Sequence, residues 1–235
     1  MQDFSAAFLL AFQLVWQLDS TLVEIVGLSL HVSLSALVLA CLFGLPAGAV
    51  LAIFPIPFRG TIIVMVNALM GLPPVVVGLL VYLALSRAGP LGWLALLYSP
   101  TAMIIAQTLL ITPIIAALSR QVLADLHEEY DELLRSMNVP AYKAIGTLIW
   151  DGRFSLSTVA LAGFGRAIAE VGAVMIVGGN IDHLTRVMTT AIALETSKGE
   201  LALALALGLI LVTLAMLING LVSVLNQVGA RYANA

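Results

Sequence analysis

The stretch "EYDELLRSMNVPAYKAIGTLIWDGRF", Glu129 to Phe154, is a polar island in a chain that is otherwise close to apolar throughout. Its charges surround a small apolar stripe of Leu133, Leu134 and Met137 at helical spacing. After the Asn138-Val139-Pro140 break, the same spacing puts Tyr142, Ile145, Leu148 and Ile149 on one side of a second helix. The first helix must end at Asn138, because Asn is the residue after Gly that most readily takes the left-handed C-terminal cap. Pro140 then suits the first turn of the next helix, where its missing N–H removes no bond. The pattern predicts a helix-turn-helix, and the sequence on either side of it decides the fold.

That surrounding sequence is a membrane protein's. The chain has 235 residues, of which 61% are hydrophobic and 10% charged, with a mean hydropathy of +1.09. A water-soluble domain of this size does not normally reach such values. Apolar windows long enough to cross a hydrocarbon core of about 30 Å lie at residues 23–53, 60–86, 100–124, 154–178 and 201–225. They predict an all-α integral membrane bundle of five transmembrane helices, or six if residues 4–18 also span. The 1–19 segment reads as an N-terminal interfacial or extra helix. Its apolar run lacks the positive flank of a cleaved signal peptide, since the first Lys or Arg is Arg59.

Basic residues near span ends collect on the cytoplasmic side of a membrane. Placing Arg59, Arg120, Arg135, Lys143, Arg153 and Arg231 inside leaves Arg87, Arg186 and Lys198 outside, six against three. The Asp3, Asp19 and Glu24 end then faces out, and residues 125–153 face the cytoplasm. No Gly/Ser-rich linker and no internal repeat divides the chain, so residues 1–235 read as one transmembrane domain.

Several spans carry features that an inert anchor would not need. The first window is about 31 residues, or roughly 46 Å of helix, and must tilt or bend, with Pro46 beside Gly44 the expected place. In the second, Gly71, Pro73 and Pro74 remove two backbone donors and disfavour helix just before the first proline, which predicts a broken span. Broken backbone survives at membrane depth only where it is buried in protein or lines a watery cavity. A packed proline kink is the alternative. The third window carries Gln107, Thr112 and Pro113 and runs without a linker into the polar island. The fourth holds Arg166 and Glu170, expected on one helical face, and such charges mark either a pathway or an internal ion pair that fixes packing. Beyond it, Asp182, His183, Arg186, Glu195, Lys198 and Glu200 lie in a loop expected outside. Its apolar segment Val187 to Leu194 is too short to cross, so it should dip in or lie along the interface.

Much chemistry is excluded. No G-x-x-x-x-G-K-[ST] phosphate loop occurs and the only lysines are Lys143 and Lys198, so any use of ATP must come from a partner. His31, His127 and His183 are scattered and no paired-cysteine spacing exists, which argues against a metal site or haem carrier. Cys41, the single cysteine, is expected to be packing. Asp131 and Glu132 are neighbours on a helix, about 100° apart, and read as solvated rather than catalytic. No residues are expected to be catalytic.

The island resembles the cytoplasmic loop of permease subunits of type I ATP-binding-cassette importers. "DELLRSMNVPAYKAIGTLIWDGR", Asp131 to Arg153, matches that loop in length and form, with Asn138 where the family has Gly and Trp150-Asp151 where it has Leu-Pro. The resemblance extends over about residues 20–228. "GLPAGAVLAIF", "LPPVVVGLLVYLALSRAGPLGW" and "GRAIAEVGAVMIVGGNI" are similar to stretches of molybdate, tungstate and sulfate permeases, and "VGGNIDHLTRVMTTAIALETSKGE" is most similar to the tungstate type.

The resemblance implies a multi-pass protein of the prokaryotic plasma (inner) membrane that pairs with a second copy of itself. It implies an ATP-binding subunit that carries ATP and Mg, and an extracytoplasmic substrate-binding protein that delivers an oxyanion. This chain would bind no cofactor and no nucleic acid. Asp131, Glu132, Leu133, Leu134, Arg135, Met137 and Asn138 become the expected coupling residues toward the ATPase. Pro73, Pro74, Arg166 and Glu170 are candidates for the translocation path. Asp182, Arg186, Glu195 and Lys198 are candidates for docking the binding protein. Rival readings are a secondary transporter or channel that uses Arg166 and Glu170 without ATP, and a membrane-bound enzyme or respiratory anchor; the missing repeat and missing ligands weigh against them.

Overall fold

The computed structural model describes residues 4–17 and 19–233, with the side chains of residues 4–8, 135, 141–142, 226 and 228–233 outside that description. Every regular element among the described residues is helical. In chain order these are α1 (Phe4–Trp16), α2 (Ser20–Ile53), α3 (Arg59–Met70), α4 (Pro74–Leu85), a 3-10 turn (Gly92–Leu94), α5 (Pro100–Ser136), α6 (Ala141–Asp151), α7 (Arg153–Ile168), α8 (Gly172–Gly178), α9 (Met188–Lys198) and α10 (Leu201–Ala233). Helices α2, α5 and α10 are each long and apolar enough to cross a membrane. The pairs α3–α4 and α7–α8 reach that length only together, bent by 97° and 58° at their breaks. This accounts for the five expected windows. Helix α1 has 13 residues, about 20 Å, shorter than the hydrocarbon core.

The first break follows the proline rule. Pro73 is extended at φ −63°, ψ 121°, Pro74 opens α4, and the Pro73 carbonyl accepts the N–H groups of Val76 and Val77. The second break corrects the expectation of one helix over 154–178: α7 ends at Ile168 and α8 begins at Gly172. No proline causes it. Instead, side chains take over the backbone groups that the break exposes. Glu170 Oε1 accepts the Ala173 N–H at 3.2 Å, and the Thr189 hydroxyl donates to the Glu170 carbonyl at 2.7 Å. Pro46 and Pro113, by contrast, lie inside α2 and α5, and neither ends its helix. The helix capped by the Asp19 carboxylate, which accepts the N–H groups of Thr21 and Leu22, runs through Pro46 to Ile53.

The chain forms two compact units, each made of discontinuous segments. The first comprises residues 1–36, 73–107 and 165–217. In it α4 packs on α8, and a Cβ at Gly78 would come within 2.7 Å of Ala173 Cα, so Gly78 sets that approach. The segment expected to dip in or lie along the interface is α9 and its entry, with Met188, Thr189, Thr190 and Ala191 buried. The Met188 N–H donates to Ser29 Oγ at 2.7 Å, and the Val187 N–H to Thr190 Oγ1 at 3.1 Å. These bonds let polar backbone be buried without penalty.

The second unit comprises residues 37–72, 108–164 and 218–235. Here α2 crosses α5 at Gly44 and Gly48, a small-xxx-small pair that lets backbones approach. A Cβ at Gly48 would lie 2.1 Å from Ser119 Oγ and 2.7 Å from the Ala116 carbonyl. Beside that crossing Ala49, Ala52, Ile53, Leu123, Ala144, Leu148 and Leu156 form a buried cluster that joins α6 to the long helices. Arg59 closes α2, its Nε and Nη2 donating to the carbonyls of Leu51 and Ala52 at 2.8 Å each. Those are the carbonyls that a helix end leaves without partners.

Candidate functional site

In the first unit the chemistry gathers at the α7–α8 break. Arg166 lies in the last turn of α7, and Glu170 lies beyond the helix end, so the two do not share a helical face as expected. They still pair, Arg166 Nη1 to Glu170 Oε2 at 2.5 Å, because the break turns the acid back toward α7. The Glu170 side chain is 4% exposed and that of Arg166 38%. The acid therefore sits inside protein, neutralised by Arg166 and by the N–H of Ala173 at the start of α8. Arg166 spends one of its five donors on this pair. The remainder, on a part-exposed guanidinium, can meet an anion while Glu170 fixes the direction of the side chain.

Two further elements meet at this break. A Cβ at Gly172 would touch Val75 Cγ2 at 2.8 Å and lie 3.7 Å from Glu170 Oε1, so the start of α4, just past Pro73 and Pro74, adjoins the buried acid. All four path candidates thus belong to one unit, and the backbone after Pro74 lies beside Glu170. Gln107, from α5, donates through Nε2 to the Ala167 carbonyl at 3.1 Å, while its Oε1 is buried without a hydrogen-bond partner. Ser29, Ser33, Gln107, Glu170 and Thr189 line a cavity of about 10 Å³ there, room for about one water. The sequence showed Gln107 only as a polar residue in an apolar span. Its partner, Ala167, has no polar side chain and so left no signal.

At the other candidate surface, α5 continues as one helix from Pro100 to Ser136 and ends as expected at Asn138, whose φ is +51°. The Val139 N–H donates to the Leu134 carbonyl at 3.0 Å, the closure that goes with a left-handed cap. Pro140 is the N-cap of α6, one position before the first turn expected for it. The apolar stripe divides: Leu133 and Met137 are 57% and 66% exposed, whereas Leu134 packs against the buried cluster of its own unit. Glu132 and Asn138 are exposed, Asp131 is part-buried, and the Arg135 side chain lies outside the described residues. On α6 the buried side is Ala144 and Leu148 with Ile145 beside them. Ile149, expected on that side, is exposed, and Tyr142 lies outside the described side chains.

The four docking candidates are held in pairs within the chain. Arg186 bonds Asp182 at 2.8 Å and Lys198 bonds Glu195 at 3.0 Å, with Glu195 buried. Asp182 and Lys198 keep exposed surface, and Glu195 does not. The sequence did not reveal a neighbouring pair, His183 Nδ1 with Glu24 Oε2 at 2.8 Å. The Glu24 carboxylate, first by hydrogen bond and then by charge, with Asp182 adding to it, raises the His183 pKa above its usual 6.5. Cys41 is a free, partly buried thiol. Among the described residues no group of His, Cys, Asp and Glu is arranged to hold a metal ion.

No protein-family model matches the chain. Over 227 residues it is 37% identical to the tungstate uptake system permease protein TupB of Peptoclostridium acidaminophilum, covering 97% of this chain and 100% of that protein. It is 36% identical to TupB of Campylobacter jejuni, covering 88% of this chain and 86% of the relative. To a probable anion ABC transporter permease protein of Haloferax volcanii it is 37% identical over 85% of this chain and 88% of the relative.

Proposed function

Because the chain belongs to the permease family of ABC anion-uptake transporters and is a multi-pass membrane protein, we propose that it carries an oxyanion, tungstate, into the cytoplasm by alternating access. The observation that carries this reading is 37% identity along the whole length of a permease named for tungstate uptake. Two copies of the chain pair around the path, a separate subunit binds and hydrolyses ATP, and an external protein delivers the anion. Residues 125–153 and Arg59 face the cytoplasm, and residues 182–200 face outward, following the distribution of basic residues.

A doubly charged anion cannot cross hydrocarbon unaided, so the path needs fixed donors. Arg166 supplies charged N–H groups from the α7–α8 break, and Glu170 holds them in place. The backbone after Pro73 and Pro74 adjoins the same point. The acid also keeps the well shallow, since a guanidinium without a counter-charge would hold the anion too tightly to release it. On the cytoplasmic side, Leu133 and Met137, rimmed by Glu132 and its charged neighbours, seat in a groove of the ATPase subunit and pass its movement into the continuous helix α5.

The test is uptake into vesicles that hold the chain with its ATPase and binding protein. Tungstate should accumulate only with ATP, and molybdate and sulfate should compete to a degree set by the binding protein. Accumulation that is independent of ATP would favour a secondary transporter. Uptake of amino acids or sugars without any oxyanion would end the substrate assignment and leave the importer reading standing.

A further inference from the structure

At the junction of α6 and α7 a single cation is held between two aromatic rings. The Arg153 guanidinium carbon lies 4.7 Å from the ring centroid of Trp150 and 4.7 Å from that of Phe154. Its Nη1 donates to the Trp150 carbonyl at 2.6 Å, closing the end of α6. No carboxylate pairs with Arg153 among the described residues. Arg153 is also the first residue of α7, where the helix dipole is positive and a cation is disfavoured. The guanidinium is therefore fixed in place by two rings and a carbonyl, without an ion-pair partner among the described residues. Arg153 is equally the first residue of the bent pair that is long and apolar enough to cross a membrane, and the end of such a span is where headgroups are met.

We propose that Arg153, with Trp150 and Phe154, binds the phosphate of an anionic phospholipid in the leaflet that meets the α6–α7 junction. Trp150 is 67% exposed, and a Trp at a span end is the residue type that lies among headgroups. Stacking on both rings orders the guanidinium while leaving its remaining donors to meet a phosphate oxygen, for which the planar fork is suited. Helix α6 adds a second contact. Ala144 and Leu148 turn to the buried cluster, while Lys143, two turns before Trp150 and on the same face, is exposed. Gly146 lies between those two positions, with open space where a side chain would be. A lipid headgroup is favoured over the ATPase subunit as occupant because an exposed indole and a fixed cation coincide with the first residue of a span.

Native mass spectrometry of the purified full chain tests this, after exposure to equal amounts of phosphatidylglycerol and phosphatidylcholine of one chain length. The wild type should retain phosphatidylglycerol in preference. Arg153→Ala should reduce that preference about fivefold, the effect of one basic residue near an anionic surface. Arg153→Lys should restore part of it. Glycerol phosphate in excess should compete weakly, since it lacks the acyl chains. Equal retention of both lipids by the wild type overturns the proposal even if Arg153→Ala fails to fold, as does an undiminished preference in a folded Arg153→Ala. Full displacement by glycerol phosphate would mean a free-phosphate site, and loss of the preference whenever the ATPase subunit is bound would mean a protein interface; either result also overturns it.

Discussion

The Gln107 side-chain amide donates to the Ala167 carbonyl at 3.1 Å across 60 residues of sequence, and so ties α5 to the last turn of α7 just before that helix breaks. The Glu170 N–H also donates to this carbonyl, so it does not depend on Gln107 alone. Gln107→Leu should accordingly cost only about 1 kcal/mol of stability. Gln107→Glu should cost more, because it sets a carboxylate against a carbonyl oxygen in the cavity that Glu170 already lines. Thermal unfolding of the two variants in one detergent gives the order, and a Glu variant as stable as the Leu variant would contradict it.

Arg166→Ala should lose several kcal/mol of stability, moderated by the partial exposure of the guanidinium, since it strands the buried Glu170 carboxylate. Adding Glu170→Gln should recover much of this, because the amide keeps an oxygen for the Ala173 N–H without the charge. Glu170→Ala would recover less. Uptake normalised to protein abundance then separates the two roles of Arg166. Restored stability with transport still lost places the guanidinium on the anion path, and restoration of both makes it a structural partner only.

Gly48→Val should disrupt insertion or stability by about 1–3 kcal/mol or more, as the new side chain meets the Ala116 carbonyl and the Arg120 N–H on α5. Ser119→Ala should not rescue it, because those two obstacles are backbone. Gly208→Ala is the control: nothing lies within 4 Å of its Cβ position, and a helix interior favours Ala by up to about 1 kcal/mol. Melting temperatures should fall for the first and hold or rise for the second.

Leu133→Asp or Met137→Asp should release the ATPase subunit while leaving the permease as stable as before, since both side chains are exposed. Leu134→Asp should lower the stability of the permease itself, because Leu134 packs on the buried cluster. Co-purification measured beside thermal unfolding distinguishes them. Equal association by all three variants would remove the coupling role from this helix end.

The His183–Glu24 pair gives a pH dependence of definite sign. With the folded pKa of His183 raised above 6.5, the pair's contribution is complete below 6.5 and fades as pH climbs through the raised value. In Glu24→Gln the midpoint should drop toward 6.5, because the Glu24 carboxylate supplies the two largest upward effects. A histidine NMR titration of both proteins reads this directly, and coincident midpoints would exclude the pair in solution.

The sequence by itself determined the membrane class, the five apolar windows, the proline break before α4 and the cap at Asn138. Each is written in local chemistry: hydropathy over about 20 residues, a missing N–H, and a side chain that tolerates positive φ. Only the tertiary structure decided the second break. Nothing between Ile168 and Gly172 forbids a helix. The helix stops there because Thr189 bonds the Glu170 carbonyl, the Glu170 side chain bonds the Ala173 N–H, and Gln107 bonds the Ala167 carbonyl. Two of these partners, Thr189 and Gln107, come from other stretches of chain, so no local pattern could have announced them. Likewise, charge and spacing made Leu133, Leu134 and Met137 one stripe and Asp182, Arg186, Glu195 and Lys198 one set. The fold turned Leu134 into the core and buried Glu195, because burial depends on which surfaces meet and helical period alone does not fix that.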